Sequence, residues 1–582
     1  MNNEEIAQVF NNIGDLLGLK GEIIFKIRAY SKAARTIEHY PMELAQIFKE
    51  EGEAGLSNVP SVGPAINKKI QELLSTGGLE YYEKLKAEFP DGVIALKDVP
   101  GVGPKTAYKI SKELGVNDLN GLEAALKEGA VAGLPGLGEK AAANILHHLQ
   151  TLKTKDRRIP IGRALGVVEE IVGALHDVPG LHRLEPAGSL RRYRETVGDI
   201  DLMGTAEDPE MVLSALARLP QVTEVLVHGP KKVSVLVKNG LQVDLRIVEE
   251  EVYGSLIQYF TGSQQHNVML RERARRRGLS INEYGITDLE TGRVERFATE
   301  EAMYQRLGLQ FIPPELREGQ REIEQAAKGA IPHLVEVSDL RGDLHSHTSE
   351  SDGRDTLEEM VLAARAAGLE YLAITDHSSG RGIANGLSDQ RLLEHIDRIR
   401  ELNGRIDGIE LLTGSEVDIR ADGTMDYSDE LLEKLDVVIG SVHSAMSQSK
   451  EVMTARVIKA MGNPHVDIIG HPTCRILGER VPVEIDIEAI FRAALETGTV
   501  LEIDAQPGRL DLKDSYIYRA REMGVALVID SDAHATEQFD NLRLGVAVAR
   551  RGWCEKGHIL NTLTLEELRA ALGSRSAVGA HG

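Results

Sequence analysis

Apolar and polar positions along this 582-residue chain change rhythm twice. The first 150 residues carry three similar turns rich in Gly and Pro, each opening a helix: NVPSVGPAINKKI at 58–70, DVPGVGPKTAYKI at 98–110 and GLPGLGEKAAANI at 133–145. From about residue 156 helix and strand mix, and VSVLVKNGLQVDLRIV at 233–248 predicts a hairpin turning at Asn239-Gly240. Residues 290–338, rich in Glu and broken by Pro313-Pro314, read as the end of that unit plus a connector. After Leu340 short apolar strands alternate with amphipathic helices, which predicts a β/α architecture. The expected domains are 1–150, 151–317 and 340–575, with 318–339 as a linker; one apolar core could not organise a chain of this length.

Composition narrows the class. With 42% hydrophobic and 27% charged residues, and no apolar run near the roughly 20 residues of a membrane span, no membrane role is expected. The acidic start MNNEEIAQVF lacks the features of an export signal, and two cysteines, Cys474 and Cys554, are too few for a disulfide framework; a cytoplasmic monomer is expected. A net charge of −23 argues against nucleic acid, yet Lys20, Lys26, Arg28, Lys32 and Arg35, and RERARRR at 271–277, concentrate positive charge locally.

The three turns supply free backbone N–H groups at helix starts, which receive a phosphate without reading a base. Gly63, Gly101, Gly103, Gly136 and Gly138, with Lys68, Lys69, Lys105 and Lys140 just inside the helices, are the candidate DNA-backbone contacts. The pattern resembles the helix-hairpin-helix element of DNA-repair proteins; the first copy departs from it with Ser61 where the others have Gly101 and Gly136.

GSLRRYRETVGDID at 188–201 sets Asp199 and Asp201 two residues apart, so on a strand both face one way, and Asp244 falls in the second strand of the predicted hairpin. Three such acids form the oxygen-rich site that Mg²⁺ or Mn²⁺ requires, suited to nucleotidyl transfer. A lone D-x-D is usually a solvated turn, but Gly188-Ser189 with Arg191 and Arg192 add a candidate phosphate cradle.

These motifs, with YFTGS at 259–263, Asn267 and INEYGI at 281–286, resemble DNA polymerase family X, typified by DNA polymerase beta, over roughly residues 1–317. The resemblance implies an α-helical helix-hairpin-helix N-terminal domain and an α+β nucleotidyltransferase core acting on gapped or nicked DNA, primer-template and deoxynucleoside triphosphates. It implies that Asp199, Asp201 and Asp244 hold catalytic metals and that Arg158, Gly188, Ser189 and Arg192 hold the triphosphate. Tyr259, Phe260 and Gly262 would line the sugar, Asn267 would meet the base edge, and Arg271 the template strand. Gln264-Gln265-His266 departs from the animal enzyme and puts nucleotide preference in question. Lys69 falls at the Schiff-base lysine of the family's lyase domain, where an amine attacks an abasic sugar; phosphate binding is the alternative.

The third region places metal-type residues at the ends of successive apolar strands: His345, His347, Asp352, His377, Glu416, His443, His471, Asp532 and His534. A single histidine is more often packed than ligating, but nine such side chains at strand ends are hard to explain as core. The series resembles the polymerase-and-histidinol-phosphatase (PHP) phosphoesterases, which implies a distorted β/α, TIM-like barrel with up to three metals, Mn²⁺ or Zn²⁺. His345, His347, Glu416 and Asp532 would share one, Glu416, His443 and His471 a second, and Asp352, His377 and His534 a third. Asp376 is expected to orient His377, and Cys474 is not expected to be catalytic.

The leading expectation is a gap-filling base-excision-repair polymerase with a 3′–5′ exonuclease or related phosphoesterase (abasic endonuclease, 3′-phosphatase). A phosphoesterase on a DNA-binding scaffold is the alternative, against which the three acids speak. A non-catalytic adaptor would need none of the nine ligands.

Overall fold

The computed structural model describes residues 3–579 except 39, 41–43, 90–95, 97–98, 100–101, 140, 147–148, 150–157, 239 and 381–383. Contacts gather the chain into two units, Met1–Arg157 with Asn239–Leu241, and Arg158–Lys238 with Gln242–Gly582. No helix among the described residues is long and apolar enough to cross a membrane.

In the first unit, helices that include Asn3–Lys20, Ile24–Glu38, Pro64–Thr76 and Pro104–Leu114 bury one apolar core from Ile6 and Phe10 to Ile145 and Leu149. Proline opens two of these helices, directly after Gly63 and Gly103; its missing N–H would have had no intrahelical acceptor at that position. Ser61 takes φ 67° beside the 84° of Gly136, so the copy with serine keeps the left-handed turn of the copy with glycine.

The second unit begins with a five-stranded sheet in the order Leu181–Pro186, Ile200–Ala206, Gln242–Val248, Lys232–Val237, Val222–Gly229. Lys232–Val237 and Gln242–Val248 form the expected antiparallel pair. Helices Tyr253–Thr261, Gln264–Arg276 and Glu300–Arg306 follow. Residues 318–339, read from sequence as a linker, carry helix Glu322–Lys328. Their Ile323, Ala326, Ile331 and Leu334 join Leu270, Tyr304 and Trp553 in one apolar core. Trp553 comes from the C-terminal region, so that core is built from both halves of the unit.

The remainder is a parallel sheet of seven strands hydrogen-bonded in chain order: Gly342–Asp343, Tyr371–Ile374, Glu410–Asp418, Val437–Ser441, Ile468–Ile469, Val500–Asp504 and Leu527–Asp530. A parallel bridge between Ser346 and Ala533 joins the ends of the first and last strands. The sheet thereby nearly closes into a barrel, and the C-terminal ends of its strands converge on one mouth.

Candidate active sites

Strands Ile200–Ala206 and Gln242–Val248 run parallel with Asp201 paired directly to Asp244, so the two carboxylates stand side by side on one face. Asp199, exposed at the strand entrance, is close enough for its charge to act on Asp201. Burial, with Asp199 and Asp244 adding repulsion, pushes the Asp201 carboxyl up to about 7. Burial also works against ionising Asp244, but hydrogen bonds from Lys232 Nζ (2.6 Å) and Gln242 Nε2 (2.8 Å) outweigh it and hold that carboxyl below the usual range. Neither partner was singled out from sequence; Lys232 lies on the facing strand, across the hairpin. Gly188 is required here: its φ is 63°, and a Cβ would sit 2.9 Å from Asp201 Oδ2.

The expected cradle begins on the segment next to Asp201, where the Ala187 N–H donates to the Asp201 carbonyl at 2.8 Å. Ser189 lies in the short helix Gly188–Arg191. Arg191 reaches Glu300 at 2.8 Å and Thr261 Oγ1 at 2.9 Å. Arg192 donates to the Thr261 carbonyl and lies 3.2 Å from Glu318. Arg158 donates to Thr196 Oγ1 at 2.9 Å, and its Nη1 lies 3.6 Å from where a Gly198 Cβ would stand. Gly262, φ 70°, ends helix Tyr253–Thr261 and would bring a Cβ within 3.2 Å of Arg192 Nη1. Tyr259 and Phe260 pack edge to face, centroids 5.2 Å apart, with the Arg246 guanidinium 4.5 Å above Phe260. Asn267 donates to the Tyr259 carbonyl at 2.7 Å and accepts from Gln258 at 2.9 Å, so its amide braces this segment. Arg271 is exposed. His266 is buried, held by Glu322 at 2.9 Å and Tyr304 at 2.8 Å.

At the barrel mouth the nine expected ligands come together. His345 and His347 Nε2 lie 3.5 and 3.2 Å from Asp532 Oδ1, and 3.5 and 3.6 Å from Glu416 Oε2. His471 and His443 Nε2 lie 2.9 and 3.1 Å from Glu416 Oε1. His377 and His534 Nε2 lie 3.4 and 3.3 Å from Asp352. Glu416 thus faces two groups, while Asp352 centres the third. Both ring nitrogens of His347 and Nε2 of His345 and of His443 are buried without a hydrogen-bond partner. Orphaned imidazole nitrogens facing carboxylate oxygens are a donor set suited to divalent metal ions. Burial, and next the charge of His534, lowers His347 to about 4, keeping it in the neutral form that ligates. His377 is the converse: burial would lower it, but Glu416 and Asp352 hold it up at about 10.

The supporting shell contains residues that sequence reading missed. Glu502, on the sixth strand, lies 2.6 Å from His345 Nδ1 and leaves Nε2 facing the cluster. Asp418 does the same for His443 Nδ1 at 2.6 Å. Asp376 was expected to orient His377, but just past the end of strand Tyr371–Ile374 it turns to other partners. Its carboxylate instead accepts from Thr348 N (2.9 Å), Thr348 Oγ1 (2.8 Å) and Ser351, and lies 2.9 Å from His395. Asp376 thereby anchors the loop that carries Asp352. Cys474 is buried, and its thiol is pushed up to about 12 by that burial.

In the helical unit Gly63 and Gly103 cap their helices, and a Cβ at Gly63, Gly103, Gly136 or Gly138 would meet no atom within 4 Å. Gly101, Lys140 and the Lys105 side chain lie outside the described residues. Lys69 Nζ sits 4.8 Å over the Tyr81 ring, and burial lowers its pKa.

A parallel-strand carboxylate pair next to a glycine turn with arginines, and a histidine-rich cluster in a barrel mouth that could hold metal ions, are arrangements suited to phosphate chemistry. Family models match at residues 1–79 (helix-hairpin-helix domain), 93–151 (SAM-like helix-hairpin-helix tandem), 256–318 (DNA polymerase beta thumb) and 343–505 (PHP domain). The chain is 38% identical over 574 residues to the DNA polymerase/3′-5′ exonuclease PolX of Bacillus subtilis (strain 168), covering 98% of this chain and 99% of that protein. It belongs to that family, the bacterial family X DNA polymerases that carry a PHP domain. The C-terminal region is also 32% identical over 232 residues to a probable phosphatase of Thermoanaerobacter sp. (strain X514), 38% of this chain and 89% of that one. A probable phosphatase of Shewanella halifaxensis is 30% identical over 243 residues, 40% of this chain and 92% of that one.

Proposed function

We propose that this protein fills short gaps in damaged DNA and trims 3′ ends in base-excision repair, with synthesis at the Asp199, Asp201 and Asp244 site and hydrolysis at the barrel mouth. The observation that carries the reading is the direct register of Asp201 with Asp244 beside a basic cradle. Divalent ions held by the three acids, Mg²⁺ or Mn²⁺, would activate the attacking 3′-oxygen and neutralise the departing triphosphate. Lys232 and Gln242 keep Asp244 ionised, so it can accept the proton of the primer hydroxyl. Arg192, Arg158, Gly188 and Ser189 orient the triphosphate, and the segment Tyr259–Gly262, braced by Asn267, lines the sugar. Arg271 contacts the template, and the glycine turns with Lys105 and Lys140 grip the DNA backbone.

At the barrel mouth the nine ligands hold up to three ions, Mn²⁺ or Zn²⁺ given the imidazole content, and these would lower the pKa of a water and clamp the phosphate. The cluster accepts any phosphoester that reaches it, so 3′–5′ exonuclease, abasic endonuclease and 3′-phosphatase share this site. The depressed amine of Lys69 supports a 5′-deoxyribose phosphate lyase, tested by borohydride trapping of wild type against Lys69→Ala. We expect a monomer in the cytoplasm.

Primer extension and 3′-end degradation on gapped DNA with Mn²⁺ separate the sites. Asp201→Ala should abolish synthesis and spare degradation; His345→Ala should do the reverse. Continued extension by Asp201→Ala would show that these acids are not the polymerase centre, and would favour a phosphoesterase on a DNA-binding scaffold.

A further inference from the structure

Helix Leu542–Arg551 of the barrel half ends on a guanidinium that reaches the polymerase core. Arg551 Nη1 donates to the carbonyl of Arg192 at 2.7 Å, to Glu318 Oε1 at 2.9 Å and to the Glu315 carbonyl at 3.5 Å. Its Nε and Nη2 both meet Asp514 Oδ2, at 2.9 and 2.5 Å. The same Glu318 oxygen lies 3.2 Å from Arg192 Nε. The side chains of Arg551, Glu318 and Arg192 are 2%, 12% and 12% exposed, so water screens the group weakly. One carboxylate is therefore shared between an arginine of the core and an arginine of the metal-cluster domain.

We propose that Arg551 is a positioning residue for nucleotide binding, acting through Glu318 on Arg192; this rests on the reading of Arg192 as a triphosphate holder. To grip a triphosphate, Arg192 must exchange Glu318 for phosphate oxygens. Arg551 makes the exchange cheaper because it keeps a cation on Glu318 after Arg192 has turned away. Asp514 in turn holds Arg551 in place. The occupancy of the nucleotide site is thereby tied to the docking of the exonuclease domain against the core.

The test is a double-mutant cycle on the full-length protein, reading the KM for deoxynucleoside triphosphate and kcat on a one-nucleotide gap. Arg551→Met should raise KM about 10-fold, within the usual span of coupling between linked sites, with kcat changed far less. Glu318→Gln should lower KM or leave it unchanged, because a neutral amide competes weakly for Arg192. In the double variant the Arg551→Met effect should disappear, since no carboxylate remains to hold Arg192 back. Exonuclease activity in Arg551→Met should stay at the wild-type level, which excludes a folding defect. A KM rise that persists in the double variant, or a fall in exonuclease activity matching the loss of synthesis, overturns the proposal. Arg192→Ala is the separate check on the underlying reading: if it leaves KM unchanged, Arg192 is not a triphosphate holder.

Discussion

Asp201→Asn, measured without divalent metal, isolates the electrostatic tension among Asp199, Asp201 and Asp244. The carboxyl of Asp201 rises from its ordinary 3.8 to about 7 on folding. At about 1.4 kcal/mol per tenfold change in proton affinity, this gives a ceiling of about 4 kcal/mol. The folded value is the raised one, so the proton stabilises the fold. That contribution is complete below pH 3.8 and disappears as pH climbs through 7. Asparagine does not titrate, and the other ionisable groups are present in both proteins and largely cancel in the comparison. In chelator the variant should match wild type near pH 4 and gain on it steadily toward pH 8, by several degrees in melting temperature. Trp553, the sole tryptophan, lies in the core common to both halves of the second unit, so its fluorescence follows that unit's unfolding. Adding Mn²⁺ at pH 8 should reverse the ranking, because only wild type keeps the full acid set. A difference that does not vary between pH 5 and 8, or that widens toward acid, refutes the argument.

Three further outcomes follow from the same geometry. Glu502→Gln removes the charge beside His345 Nδ1 and should weaken metal retention at the barrel mouth by about 10–100-fold in a Mn²⁺ titration, with gap filling intact. Asp376→Asn should cost about 1–3 kcal/mol in urea unfolding. Despite its burial, hydrogen bonding and His395 hold Asp376 near 2; its contribution is present above the unfolded carboxyl range and fades as pH falls toward 2, so the penalty should shrink in acid. Both thiols, buried and pushed up to about 12, should resist a maleimide in the folded protein and label at two per chain only after unfolding.

Strand rhythm and acid spacing made much of this molecule legible in the sequence. Asp201 and Asp244 sit on segments whose alternation fixes the facing, and the barrel ligands follow apolar runs that could only be strands. What stayed hidden depends on contacts between distant segments. Glu502 lies inside the run VLEID, where nothing local separates a buried acid that backs His345 from a strand-end residue. Lys232 becomes visible only once the hairpin register sets Ser234 opposite Asp244 and leaves Lys232, two residues away, diagonal to it. Glu318 and Arg551 meet across 233 positions. The stretch 318–339 looked like a connector because it is polar and follows Pro313-Pro314; its few apolar residues find their partners in Trp553 and the helices around it.

That common interior has a consequence for anyone wishing to dissect the molecule. A fragment ending near residue 339 would keep Asp199, Asp201 and Asp244 yet lose Trp553 from the core it shares, while the complementary fragment would carry a naked indole. The two halves grew into each other, so their activities are better silenced one side chain at a time than parted by truncation.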